Sequence, residues 1–253
     1  MSPHQAHFEY LLRLGDNALI LGHRLSEWCG HGPILEQDIA MTNIALDQVG
    51  QARSILAHAG KVEGKGRDED KLAYLRDVGE YRNVLLVEQP NEDFAFTIVR
   101  QFLFDAFNFH LHEALRSSKD EQLRAIAEKS IKEIAYHLRY SSEWVIRLGD
   151  GTEESHRKMQ HALNSLWMYT GELTTPDEVD ELMLEAGIGA SLGRIKPLYD
   201  EKVSAILQEA TLGQPESGYM QSGGKNGKMH TEHLGYILAE MQFIQRAYPG
   251  MEW

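Results

Sequence analysis

At 253 residues, with 42% hydrophobic and 25% charged side chains, the chain is long enough to bury a sizeable core and too apolar for disorder. Its formal net charge of −13 comes from acids spread along the length, a surface that repels nucleic acid and anionic membranes and argues against both as partners. One cysteine, Cys29, permits no intramolecular disulfide; the amino terminus has no cationic segment followed by an apolar run, and no window approaches about 20 apolar residues. A soluble, cytoplasmic protein is expected, with no signal peptide and no membrane span.

The first predicted helix covers about 8–28, where Leu11, Leu14, Ala18, Leu21, Leu25 and Trp28 recur at spacings of three and four. Cys29 at the end of that stripe reads as a buried structural thiol. After Cys-Gly-His-Gly, Pro33 suits the first turn of a second helix that runs to about Ala59 and packs antiparallel to the first. A charged loop and a weaker helix at about 70–86 lead to a turn at Pro90, with Asn91 as helix cap and Glu92 and Asp93 at the positive end of the helix dipole. The third long helix, about 92–116, is apolar nearly all round and therefore central. A fourth spans about 121–148, and a fifth about 153–170. Thr175-Pro176-Asp177-Glu178 reads as a capping box for a helix ending at Gly187. Helices at about 192–212 and 231–248 follow, separated by the glycine-rich basic loop SGGKNGK. With no sustained alternating pattern and no repeat, the chain reads as all-α.

Four-helix bundles that hold two metal ions take one Glu from each of two helices and a Glu-x-x-His pair from each of the others. If the first two helices fold about a turn near residue 31 or 32, Asp16 and Asp47 share a level; about a turn near residue 119, so do Asp105 and Glu133. Phe102, Asn108 and Phe109 flank Asp105, and Ile126, Ser130, His137, Tyr140 and Trp144 share a face with Glu133, so both acids are expected in apolar company. Asp47 lies among Asn43, Gly50, Gln51 and Ser54, and Asp16 among Leu12, Ile20, His23 and Glu27. The nitrogen ligands are missing: the third residue after Asp47 is Gly50, and after Glu133 it is Tyr136, with His137 one place too far around. The expectation is a degenerate site of Asp16, Asp47, Gly50, Asp105, Glu133, Tyr136 and His137 that holds no metal, with hydrogen bonds linking Asp47, Asp105, Glu133, Tyr136 and His137. A dimetal centre with a variant ligand set is the alternative. Gly50 additionally leaves room for close helix packing.

SGGKNGKMHTEH departs from the phosphate-loop pattern, since Ser222 replaces the first glycine, Met229 follows the lysine and no strand precedes. Lys225 and Lys228 stand as a ligand or partner loop against the plainer reading of a solvated one. His230 and His233 read as helix-start and surface residues, and His110 and His112 as packed ones. No nucleophile signature is present, and no catalytic residue is assigned.

The blocks RLGDNALIL, EWCGHGPILEQDIAMTNIALDQVGQAR, LLVEQPNEDFA, KEIAYHLRYSSEW and GGKNGKMHTEHLGYILAEMQFIQR resemble the PaaC subunits of phenylacetyl-CoA 1,2-epoxidase, over about Tyr10 to Trp253. The resemblance implies one ferritin-like helical domain over 1–253, a four-helix bundle at about 8–148 with additional helices at about 153–253. It also implies a non-catalytic structural subunit in aerobic phenylacetate breakdown. Its partners would be a PaaA-type catalytic subunit that carries the di-iron site, a reductase that draws electrons from NADPH, and phenylacetyl-CoA through the complex, with no cofactor in this chain. Two other readings stay open: a self-sufficient dimetal oxygenase or oxidase, and an acyl-CoA binding protein using Lys225 and Lys228.

Overall fold

The computed structural model describes residues 1–216 and 218–251, and among them the regular structure is entirely helical. In chain order the helices are α1 (Pro3–Ser26), α2 (Leu35–Glu63), α3 (Glu69–Tyr74), α4 (Leu85–Glu88), α5 (Phe94–Leu115), α6 (Glu121–Gly149), α7 (Glu153–Leu166), α8 (Gly171–Thr174), α9 (Glu178–Glu185), α10 (Leu192–Glu209), α11 (Glu232–Met241) and α12 (Phe243–Ala247). They form two compact units. One comprises the described residues of Met1–Gln89 and Gly223–Trp253, and the other Pro90–Ser222. The C-terminal segment therefore belongs with the first hairpin, a grouping that chain order does not reveal.

In the first unit α1 and α2 pack antiparallel over a core that includes Leu11, Ile20, Leu21, Ile44, Ile55 and Leu56. Two glycines set their register. A Cβ on Gly15 would lie 2.7 Å from Leu56, and one on Gly22 would lie 3.1 to 3.3 Å from Val49, Gln48 and Ala45. Helix α1 starts at Pro3, with the Ser2 side chain accepting from the Gln5 N–H, and stops at Ser26. Cys29 lies beyond that end in a turn and is exposed, so the buried thiol expected at this position is corrected. Helix α2 begins at Leu35, leaving Pro33 in the connection, and ends on Gly64 in the left-handed conformation (φ 72°).

The weaker helix expected at 70–86 is broken into α3, a 3₁₀ turn at Val78–Glu80 and α4. Side chains of α1 and of the segment itself compete there for the backbone. Arg82 N–H donates to Asp16, Val84 N–H donates to Asn17 Oδ1 (2.8 Å), and the Tyr81 hydroxyl donates to the Ala73 carbonyl. The final helix has a break at Gln242, whose buried amide donates to the carbonyls of Arg76 (2.9 Å) and Ala73 (3.3 Å).

In the second unit α5 is buried almost all round, as its composition requires, and packs against α6, α7 and α10. Its cap is Asp93, which accepts from the Phe96 N–H (2.9 Å), rather than Asn91, whose side-chain oxygen instead receives Arg100 (2.7 Å). The α9 cap is likewise displaced by two residues. Asp177 accepts from the N–H groups of Val179 and Asp180, Asp180 returns the bond to the Asp177 N–H, and Thr175 turns back to the Gly171 carbonyl.

Candidate functional site

Each unit holds one fully buried carboxylate on its long hairpin, and each is bound by groups of its own unit. In the second unit Asp105 of α5 accepts from Gln101 Nε2 (2.7 Å), one turn earlier on the same helix, and from Ser141 Oγ (2.8 Å) on α6. His137 is also fully buried beside it. Burial pushes the Asp105 carboxyl up to about 7, against the opposing influence of His137 and of the Ser141 and Gln101 hydrogen bonds. The phenylalanine-rich helix supplies the low dielectric, and the two donors keep the acid from being stranded in it. His112 on α5 is buried too; desolvation lowers it to about 4 although its ring contacts the Asn108 carbonyl (3.1 Å).

In the first unit Asp16 of α1 is gripped in a fork by Arg76. Arg76 Nη1 donates to Oδ2 (2.9 Å), Nη2 donates to Oδ1, and the Arg82 backbone N–H donates to Oδ2 (2.8 Å). Arg76 is itself buried, stacks over the Tyr81 ring (4.3 Å to the centroid) and donates to the carbonyls of Leu72 and Glu80. Burial alone would weaken that charge; the Asp16 carboxylate outweighs it and holds the guanidinium pKa above its ordinary value. Nothing in the spacing of Asp16 announces this pairing. Its partner lies 60 residues away in a segment that reads as a weak helix.

The remaining candidates separate. The register set by Gly15 and Gly22 brings the level of Asp16 to about residue 55, so Asp47 sits about eight residues off, some 12 Å along the helix. The level match between Asp16 and Asp47 is thus corrected. The expected match assumed a turn near residue 31, whereas the connection extends to Ile34. Asp47 is half-buried, and Gly50 is exposed, with nothing within 4 Å of a Cβ placed on it, so close packing inside this chain does not explain the glycine. In α6 the residues level with Asp105 are His137 and Ser141, one and two turns beyond Glu133. Glu133 is half-buried; Tyr136 is exposed, 6.3 Å from the Tyr140 ring and under Arg139. Within the second unit Asp105 and His137 are therefore brought together, with Glu133 about one helical turn before them on α6 and Tyr136 on its exposed side.

The glycine-rich loop has a packing explanation. A Cβ on Gly224 would meet the Asn83 carbonyl at 2.4 Å, and Gly227 adopts φ 67° with the Arg82 guanidinium against it. Lys225 is mostly buried and Lys228 exposed, so the two do not present a joint cationic face. Past the loop, Glu88 was missed by sequence reading. Fully buried, it accepts from Thr231 N–H (2.8 Å), Thr231 Oγ (2.6 Å) and Asn83 Nδ2 (2.9 Å), and it contacts the His230 ring; its backbone carbonyl receives Arg24. His230 is hence a buried partner of an acid and not a surface residue. A neighbouring cleft of about 330 Å³ contains Arg67 and Arg82, paired with Glu63 and Glu9 respectively.

Dimetal chemistry needs several carboxylates and imidazoles converging on one point. Within either unit, among the described residues, no three His, Cys, Asp or Glu side chains bring ligand atoms together in that way. Asp105 offers one carboxylate and one nearby imidazole, and both oxygens of Asp16 are taken by a guanidinium. Within each unit these residues act as buried polar ties that hold helices.

The family model described as phenylacetic acid catabolic protein matches residues 2–253. The chain belongs to that family. It is 50% identical over 244 residues to the C subunit of 1,2-phenylacetyl-CoA epoxidase from Escherichia coli (strain K12), covering 96% of this chain and 98% of that one. Membership of the phenylacetic acid catabolic family accounts for the all-α, ferritin-like fold class expected from the sequence. Among the described residues no helix is long and apolar enough to cross a membrane.

Proposed function

We propose that the chain is the non-catalytic, C-type subunit of a phenylacetyl-CoA 1,2-epoxidase acting in cytoplasmic phenylacetate breakdown. In this reading a PaaA-type partner holds the di-iron centre, a reductase supplies electrons from NADPH, phenylacetyl-CoA is bound through the complex, and this chain carries no cofactor. The observation that supports it best is the commitment of Asp16: a buried arginine fills the cation's place on a carboxylate that bundle geometry offers as a ligand. Asp105 is tied in a comparable way by Gln101 and Ser141. Such ties make a rigid helical support.

The test is reconstitution. The catalytic subunit is expected to be active only when co-purified with this chain, and Glu133→Gln is expected to leave epoxidation by the complex close to wild type, because no metal depends on that charge. Loss of turnover with assembly preserved would contradict the reading. Coenzyme A affinity is expected to be unchanged in a Lys225→Ala, Lys228→Ala variant, since the loop glycines serve packing.

A further inference from the structure

Helix α2 is apolar on two opposite sides. Met41, Ile44, Ala45, Ala52, Ile55 and Leu56 face the core of the first unit. On the other side Leu35, Ile39 and Leu46, spaced by four and seven residues, are between 51% and 72% exposed, and Val49 stands at the edge of this face, 36% exposed and beside Gly22 of α1. With Thr42, Asn43 and Gly50 they cover about a third of the helix circumference. From Leu35 to Gly50 the only charged residues are Glu36, Asp38 and Asp47, and Asp38 is turned back to accept from the Gly32 N–H (2.9 Å). The outer face of α6 is built quite differently, with Glu128, Lys129, Lys132, Arg139, Glu143 and Arg147 exposed, as a solvated helix requires.

Gly50 is the second observation. It lies inside a helix where glycine is less stable than alanine, and among the described residues nothing comes within 4 Å of a Cβ placed there. The chain's own packing has no use for the missing side chain, whereas a second backbone crossing at close range does.

We propose that the Leu35–Gly50 stripe of α2 is where the catalytic subunit docks, through an apolar helix that crosses over Gly50 and carries Lys or Arg at its flanks. The proposal rests on the subunit reading above. Charge selects the occupant: two copies of a chain with net charge −13 repel, and Glu36 beside the stripe complements a basic flank. The relative in Escherichia coli is itself one subunit of an epoxidase.

The experiment measures binding of the full-length chain to the purified catalytic subunit by calorimetry, together with sedimentation of the chain alone. Ile39→Glu with Leu46→Glu is expected to weaken binding at least 100-fold with the circular dichroism spectrum unchanged. Gly50→Trp is expected to weaken it at least tenfold, while Gly50→Ala raises the melting temperature of the isolated chain. Wild type that binds while both variants bind equally well leaves the subunit reading standing and overturns the α2 surface. Wild type that fails to bind at all removes both. A wild-type chain that self-associates and becomes monomeric on Leu46→Glu assigns the stripe to a second copy and overturns the proposal.

Discussion

Asp105 and Arg76 show opposite ways of keeping charge inside a helical protein. Asp105 sits among phenylalanines with a carboxyl raised to about 7, so its folded state binds a proton that the unfolded chain releases near pH 4. Between those values the folded form binds more protons, and the contribution of Asp105 to stability falls as pH rises, on the order of 1 kcal/mol per unit. Asp105→Asn removes that slope: the stability of the variant relative to wild type should increase steadily from about pH 4 to about pH 7 in denaturant titrations. His112, lowered to about 4, opposes the trend, because its unfolded form takes up a proton as pH falls below about 6.5. For that reason the difference between the two proteins, and not the wild-type profile, isolates Asp105. A difference that is flat with pH would mean that burial does not raise the Asp105 carboxyl. Arg76 answers a permanent charge with another. Arg76→Met strands Asp16 and should lower stability by about 3 to 5 kcal/mol, whereas Asp16→Leu combined with Arg76→Met should cost less than Arg76→Met alone. A single variant that unfolds with wild-type energetics would rule out this pairing as a stabilising contact.

At the scale of helices, the C-terminal segment is fastened by a few polar anchors more than by apolar area. Helix α11 buries Leu234, Ile237 and Leu238, while Glu88 holds Thr231 and His230 at its start, and Gln242 and Arg246 reach back to the Arg76 carbonyl at its end. Glu88→Ala should therefore raise amide exchange across 232–247 while leaving 95–115 protected; uniform loosening of both segments would show that the anchor is not local. The long helices were legible in the sequence because three-and-four spacing and the apolar run of α5 depend on neighbours along the chain. Glu88 was not, since Thr231 and His230, which it holds, lie more than 140 residues away. The break-up of 70–86 was hidden for a related reason: its backbone bonds are satisfied by Asp16, Asn17 and Gln242, which no local pattern announces. The level of Asp47 failed on a smaller matter. A connection that runs to Ile34 shifts the hairpin register by several residues, and the side chains brought face to face change with it.

In each of the two units a hairpin is tied around a buried carboxylate that accepts hydrogen bonds from groups of its own unit, which holds the helices firmly. Those properties suit a chain that supports chemistry carried out on another, and they agree with its family and with its likeness to the C-type epoxidase subunit. The most direct measurement is the iron content of the purified chain, of the catalytic subunit and of their complex, read beside oxygen-dependent turnover of phenylacetyl-CoA. The account predicts iron in proportion to the catalytic subunit alone, with none above background in this chain and no turnover without its partner. About two irons per chain in this protein by itself, with oxygen consumed on substrate addition, would contradict it.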